Sequence, residues 1–368
     1  MAKKIFFSVG EASGDLYASI VIRQLINQGI KPSNIYAIGG AKIRETGIQI
    51  IRDISDLGVF GFSEGISSYF RIKKIYNKTK KMLEVIKPDI FIPVAFAGFN
   101  LPLVKFAHHL NIKVIYFVPP QLWAWGKFRS RMLKKYCAKV ICLFPFEQNF
   151  YSELGIKAIY LGNPLIDYVK THFTKQEVAR LLNFDNQSKW LSFMPGSRPS
   201  EINVHLPLMV KIIKKLQEDY KDIYRYFILT DQPRIAEQMK HEAVFFGTDY
   251  KYEIMANSDL ILLASGTASL ESALLGVPHI AIYRLSALTF LFAKSFLNIK
   301  TFALPNILLQ KIIVPEFAQP NFSEVYDYCS LLLSDASART KITNALQDIK
   351  NILGPTGASI RIAQEILQ

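Results

Sequence analysis

Short, unbroken runs of Ile, Val and Phe recur along the chain, and helical patterns separate them. The first runs are "KKIFFSVG", "IYAIGG", "DIFIPVA" (89–95), "KVIYFVP" (113–119) and "KVICLF" (139–144). An apolar run without alternation suits a strand covered on both faces, the normal condition of a parallel sheet. After the first run, "DLYASIVIRQLINQG" carries apolar residues at helical spacing and ends on Gly29, a C-terminal stop signal. A βαβ series of this kind builds a doubly wound sheet. A second series starts near residue 188 with "KWLSFMPG" and continues through "YRYFILT" (224–230), "LILLAS" (260–265) and "HIAIYR" (279–284). Residues 162–184 lie between the two and read as linker plus helix. The expected fold is α/β, with two Rossmann-like domains facing a cleft.

Composition narrows the class. A chain of 368 residues, half of them apolar, has the length for two domains and the means to bury large cores. No segment offers about 18 apolar residues in a row. The nearest, 260–283, is broken by Glu271, a Ser/Thr/Gly cluster and Pro278, and reads as strand, loop, helix and strand. The apolar stretch after Lys3 and Lys4 is shorter than a signal peptide requires, so a cytoplasmic protein is expected. Cys137, Cys142 and Cys329 show no paired spacing and read as reduced thiols, not as a disulfide frame or a zinc site. The net charge of +14 favours anionic partners: nucleic acid, anionic lipid or phosphorylated substrates. The stretch 67–87 interleaves aromatic and aliphatic residues with Lys and Arg, as a membrane-surface helix or an ordinary solvated basic face would.

Several strand-end loops carry chemistry. In "ILLASGTASLESALLGVP" a strand runs into Ser265-Gly266-Thr267-Ala268-Ser269 and then a helix. Unpaired N–H groups at a helix start attract anions, small residues allow close approach, and Thr267 and Ser269 add hydroxyls. Glu271, about a turn further, suits a ribose diol; the alternative is a capping box that only stabilises the helix. In "MPGSRPSEI", Arg198 offers a fork for a pyrophosphate, with Glu201 as its orienting partner or as a helix-start carboxylate. "PPQLWAWGK" sets Trp123 and Trp125 two apart, to line a cleft or to pack a core, and Glu147 reads as a helix-start carboxylate with no further role. The first loop, "SVGEASGDLYAS", holds Glu11 and Asp15, which suit sugar hydroxyls better than phosphate.

Taken together, "GEASGDLYAS", "IGG", "GVFGFSEGI", "WAWGKFR", "LFPFE", "GNPLID", "MPGSRPSEI", "ASGTASLESALLGVP", "YRLSALTF", "LPNIL", "VPEFAQ" and "GPTGAS" resemble the lipid-A-disaccharide synthase family, in family order from residue 10 to 359. The resemblance implies a GT-B-type glycosyltransferase. Its N-terminal domain, 1–165, would take acceptor and lipid and be joined by a C-terminal helix near 350–368. Its UDP-sugar domain would be 185–349. It implies an inverting, metal-independent reaction without cofactor. A 2,3-diacylglucosamine unit passes from its UDP donor to 2,3-diacylglucosamine 1-phosphate, forming a β-1,6 disaccharide and UDP. The implied setting is peripheral, on the inner face of the inner membrane at an anionic surface, without nucleic acid; a homodimer is left open. The implied UDP contacts are Arg198, Gly266, Thr267, Ala268 and Glu271. Glu11, Ser13, Gly14, Asp15 and Asn306 are implied around the reacting sugars. Where the family carries Asp-x-x-Asp-Phe-Asn, this chain reads "AFAGFN", so Ala95 and Gly98 replace both aspartates and Phe99 and Asn100 remain. The family's Gly-His-Pro reads "GNP", with Asn163. Glu11 is then the first candidate base and Asp15 the second. The competing expectation is a non-catalytic or altered-substrate member that binds UDP-N-acetylglucosamine derivatives.

Overall fold

The computed structural model describes residues 3–54, 65–123, 126–184, 187–221, 223–230, 244–284 and 301–368. The chain forms two compact units, residues 1–168 with 353–368, and residues 169–352. Each is built on its own parallel sheet.

The first sheet has seven strands: β1 (Ile5–Val9), β2 (Ile35–Gly39), β3 (Ile50–Asp53), β4 (Ile90–Val94), β5 (Lys113–Phe117), β6 (Lys139–Cys142) and β7 (Ala158–Tyr160). Their order is β3-β2-β1-β4-β5-β6-β7, and every pairing is parallel. All five residues of β1 and of β4 are buried, which is why both strands read as unbroken apolar runs. Covering one such Ile or Phe side chain contributes roughly 1.5–3 kcal/mol. Strand order reverses between β1 and β4, and the loops leaving their carboxyl ends form the crevice where doubly wound sheets hold ligands.

The second sheet repeats the plan with β8 (Lys189–Met194), β9 (Tyr224–Ile228), β10 (Val244–Phe246), β11 (Ser258–Ala264), β12 (His279–Tyr283) and β13 (Glu316–Ala318). Its order is β10-β9-β8-β11-β12-β13, all parallel, so the reversal falls between β8 and β11.

The chain returns to the first unit at Leu353, and the helix Ala358–Leu367 packs on the helix Ala12–Asn27. Asp167 fixes that return. Its carboxylate accepts from Gly357 N at 2.6 Å, Ser359 N at 2.8 Å and Ser359 Oγ at 2.7 Å. Asn163 N donates to Leu353 O at 3.1 Å, so the outgoing and returning segments touch.

Candidate active site

At the carboxyl end of β1, Glu11 precedes the helix Ala12–Asn27 and accepts from Ser13 Oγ at 3.2 Å. Glu11 and Ser13 are half-buried. Gly14 is buried, and a Cβ there would stand 3.1 Å from Val9 Cγ1 and 3.5 Å from Val94 Cγ1. Its smallness serves the packing of the β1 and β4 ends. Asp15 departs from the sequence reading. Only 3% exposed, it accepts from Gly40 N at 2.6 Å and Lys42 N at 2.9 Å, which caps the short helix after β2. Burial pushes its carboxyl above the usual range, against the pull of those hydrogen bonds. Both of its oxygens are engaged by backbone donors, an arrangement that ties the first loop to the turn after β2. The "IGG" turn has its reason here: a Cβ on Gly40 would lie 2.8 Å from Asp15 Oδ2.

The altered segment after β4 keeps its scaffold. Ala95 and Phe96 both adopt the left-handed region, at φ 49° and 43°, a conformation that costs a non-glycine residue energy. Asn100 holds it. Fully buried, its Nδ2 donates to Ser8 O, Val94 O and Ala95 O at 3.1, 3.2 and 3.0 Å, and its Oδ1 accepts from Ser8 Oγ at 2.7 Å. Tyr116 adds a 2.7 Å bond to Ala95 O. Asn100 is therefore a clasp for the loop; a substrate-facing Asn100 does not fit this engagement. A Cβ on Gly98 would meet nothing within 4 Å, so the place where the family pattern puts an aspartate is open.

The loop after β5 carries Trp123; Trp125 lies outside the described residues. Trp123 Nε1 donates to Glu147 Oε1 at 3.2 Å, and its ring meets Phe146 edge-on at 5.3 Å. Glu147 thus does more than start the helix Pro145–Glu153.

In the second unit, the loops after adjacent β8 and β11 open at the same sheet edge. Arg198 begins the helix Pro199–Asp219, and its Nη1 sits 3.3 Å from Glu201 Oε1. Glu201 Oε2 also accepts from Ser197 N and Arg198 N, at 3.1 and 3.3 Å. Gly196, at φ 121°, leaves room for that carboxylate; a Cβ there would lie 2.7 Å from Glu201 Oε2. His205 joins this loop to the end of β12: Arg284 N donates to its Nε2 at 3.2 Å, and Nδ1 then donates to Pro195 O at 3.0 Å. Burial holds His205 below the usual imidazole range.

The helix after β11 starts at Thr267, with Gly266 before it. Gly266, Thr267 and Ala268 are half-buried, and a Cβ on Gly266 would meet nothing within 4 Å. Ser269, expected as a ligand hydroxyl, is buried, and its Oγ lies 2.8 Å from His279 Nε2. Glu271 is the fifth helical residue, too far in for a capping box. It is buried against Lys251 Nζ at 2.7 Å and the Tyr252 hydroxyl at 3.0 Å. Neither partner was visible in the spacing, because both come from the helix Lys251–Ala256.

Asn306 also differs from its expected catalytic place. Its Oδ1 accepts from Ile313 N and Val314 N at 2.8 Å each, and Nδ2 donates to Val314 O at 2.8 Å. It ties the helix Leu304–Leu309 to the approach of β13. Glu316 Oε2 completes the knot, accepting from Thr301 Oγ1 at 2.8 Å, Phe302 N at 3.1 Å and Ala303 N at 2.8 Å. Among the described residues no group of three His, Cys, Asp or Glu converges as a metal site would need. Burial pushes the thiols of Cys137 and Cys329 up to about 12.

A family model described as lipid-A-disaccharide synthetase matches residues 5–357. A lipid-A-disaccharide synthase of Persephonella marina is 32% identical over 381 residues, covering 99% of this chain and 98% of its own. Among solved structures, a UDP-GlcNAc 2-epimerase from Neisseria meningitidis bound to UDP-GlcNAc covers 99% of both chains, with a TM-score of 0.65 and 16% identity. The rhamnosyltransferase SpnG has a TM-score of 0.65 at 10% identity and covers 99% of this chain and 100% of its own. The structural likenesses speak for the fold of paired parallel-sheet α/β domains, and the sequence likenesses for the chemistry. The chain is a glycosyltransferase that belongs to the lipid-A-disaccharide synthase family.

Proposed function

We propose that the chain transfers a 2,3-diacylglucosamine unit from UDP to the 6-hydroxyl of 2,3-diacylglucosamine 1-phosphate. The acceptor oxygen attacks the donor's anomeric carbon, the bond to the diphosphate breaks, and UDP leaves as the β-1,6 linkage forms. The observation that carries this reading is the paired anion loop of the second unit. Arg198 and the open, small-residue start at Gly266–Ala268 lie at the ends of adjacent strands. The guanidinium fork and the helix-start N–H groups suit a leaving diphosphate, and fixed donors of this kind stabilise charge as it develops. Glu11 takes the hydroxyl proton, with Ser13 orienting it. Proton removal by a placed base is worth about 10²–10⁴-fold.

The membrane side of the reading rests on the helix Gly65–Ile86. Ile75, Thr79 and Leu83 turn inward, while Lys73, Lys74, Lys78 and Lys81 are exposed on the other face. That face suits an anionic lipid surface. No described helix is long and apolar enough to cross a membrane. Residues 55–64 lie outside the described residues, as do the side chains of 65–72.

The test is direct. Purified protein is incubated with the UDP donor and the diacylglucosamine 1-phosphate acceptor, and disaccharide is sought by mass spectrometry. Product supports the reading. Donor binding without product overturns it in favour of a binding protein, the alternative that Ala95 and Gly98 support.

A further inference from the structure

The helix Pro145–Glu153 grips the loop leaving β5 at two points. Tyr151 donates its hydroxyl to Pro120 O, and Glu147 accepts from Trp123 Nε1. Glu147 is 2% exposed, and its two oxygens are unequally loaded. Oε2 accepts two backbone donors, Leu143 N at 3.0 Å and Phe144 N at 3.2 Å. Oε1 accepts from Trp123 Nε1 at 3.2 Å. Leu143 is itself held from the far side, since Asn163 Nδ2 donates to Leu143 O at 3.2 Å and Asn163 Oδ1 accepts from Leu165 N at 3.0 Å. A line of bonds therefore runs from Leu165 through Asn163, Leu143 and Glu147 to Trp123.

We propose that Glu147 is a positioning residue that, through Trp123 Nε1, sets the β5 loop at the carboxyl edge of the first sheet, where the acceptor is taken. The part concerning the acceptor rests on the function proposed above; the coupling of Glu147 to Trp123 does not. When Glu147 takes a proton, the O–H belongs on Oε1, because Oε2 must keep its two backbone donors. A carboxylic O–H oxygen accepts far more weakly than a carboxylate oxygen, and its proton crowds the Nε1–H, so the hold on Trp123 loosens. The change falls in an accessible range, because burial pushes Glu147 up to about 7. The titratable groups facing it are Cys142 on β6, Tyr151 on its own helix and Tyr160 on β7, all driven upward by burial and so neutral there. Above that pH the loop is held; below it, released. In Glu147→Gln the carbonyl serves the backbone donors and the NH₂ faces Trp123, so the variant reproduces the released state at every pH.

The test is tryptophan emission between pH 5.5 and 8.5, which needs no substrate. Wild type is expected to titrate with a midpoint near 7, and both Glu147→Gln and Trp123→Phe to lose the transition. A transition that persists in either variant overturns the proposal, as does its absence from wild type. If circular dichroism shows Glu147→Gln unfolded, Trp123→Phe decides. In turnover assays at pH 8, Trp123→Phe is expected to raise the acceptor KM about tenfold with the donor KM unchanged. Equal rises in both overturn the acceptor assignment. Absence of wild-type turnover sinks the transferase reading and leaves the emission result standing.

Discussion

At the scale of single residues, the proposed reaction needs a carboxylate to take the acceptor's proton. Asp15 is committed to Gly40 and Lys42, and the place for an aspartate at 98 is vacant. Glu11→Gln is expected to lower kcat by about 10²–10⁴-fold without moving the thermal midpoint, checked by turnover beside calorimetry. Gly98→Asp adds a carboxylate into open space and is expected to raise kcat at least several-fold; an unchanged or lower kcat would show that position 98 does not face the acceptor hydroxyl. The glutamate and the glycine were both legible in the sequence. What was not legible is the work of Asp15, Asn100 and Asn306. Asn100 meets Ser8 across 92 positions and Asp15 meets Gly40 across 25. Spacing shows that a polar residue sits near a strand end; it does not show which way the side chain turns. All three turn inward and hold the loops on which reactive groups stand.

At the scale of elements, the strands were readable because parallel sheets bury both faces, and unbroken apolar runs mark them. Pairings between helices were not. The helix Thr267–Leu274 carries Glu271, whose charge is met by Lys251 of the preceding helix. Removing one partner leaves a carboxylate buried without compensation. Lys251→Met is therefore expected to destabilise the protein by roughly 1–3 kcal/mol, below the fully buried case because the lysine retains some solvent. It should also weaken UDP binding, since Glu271 would keep its Tyr252 bond but lose the lysine that fixes its other oxygen. Urea unfolding and isothermal titration with UDP check the two effects. A stability loss with intact UDP affinity would place Glu271 in the scaffold alone.

At the scale of the whole molecule, the two sheets share one plan, and each reverses its strand order once, at the kind of crevice where doubly wound sheets hold ligands. The terminal helix is held by the Asp167 carboxylate, which takes three donors at its start. Asp167→Ala is expected to cost about 1–2 kcal/mol and to speed hydrogen exchange across 358–367, with exchange across β8 and β11 unchanged. Uniform acceleration in both units would show that the helix return governs global unfolding.

The contact between Asn163 N and Leu353 O has a wider meaning. The polypeptide leaves the first unit and re-enters it at neighbouring points, so residues 169–352 form an insert within one continuous fold. A gene encoding the first unit with a short Gly/Ser bridge in place of the insert would join ends that already meet. Conversely, the insert could be exchanged for the matching segment of a relative without breaking the fold of the first unit.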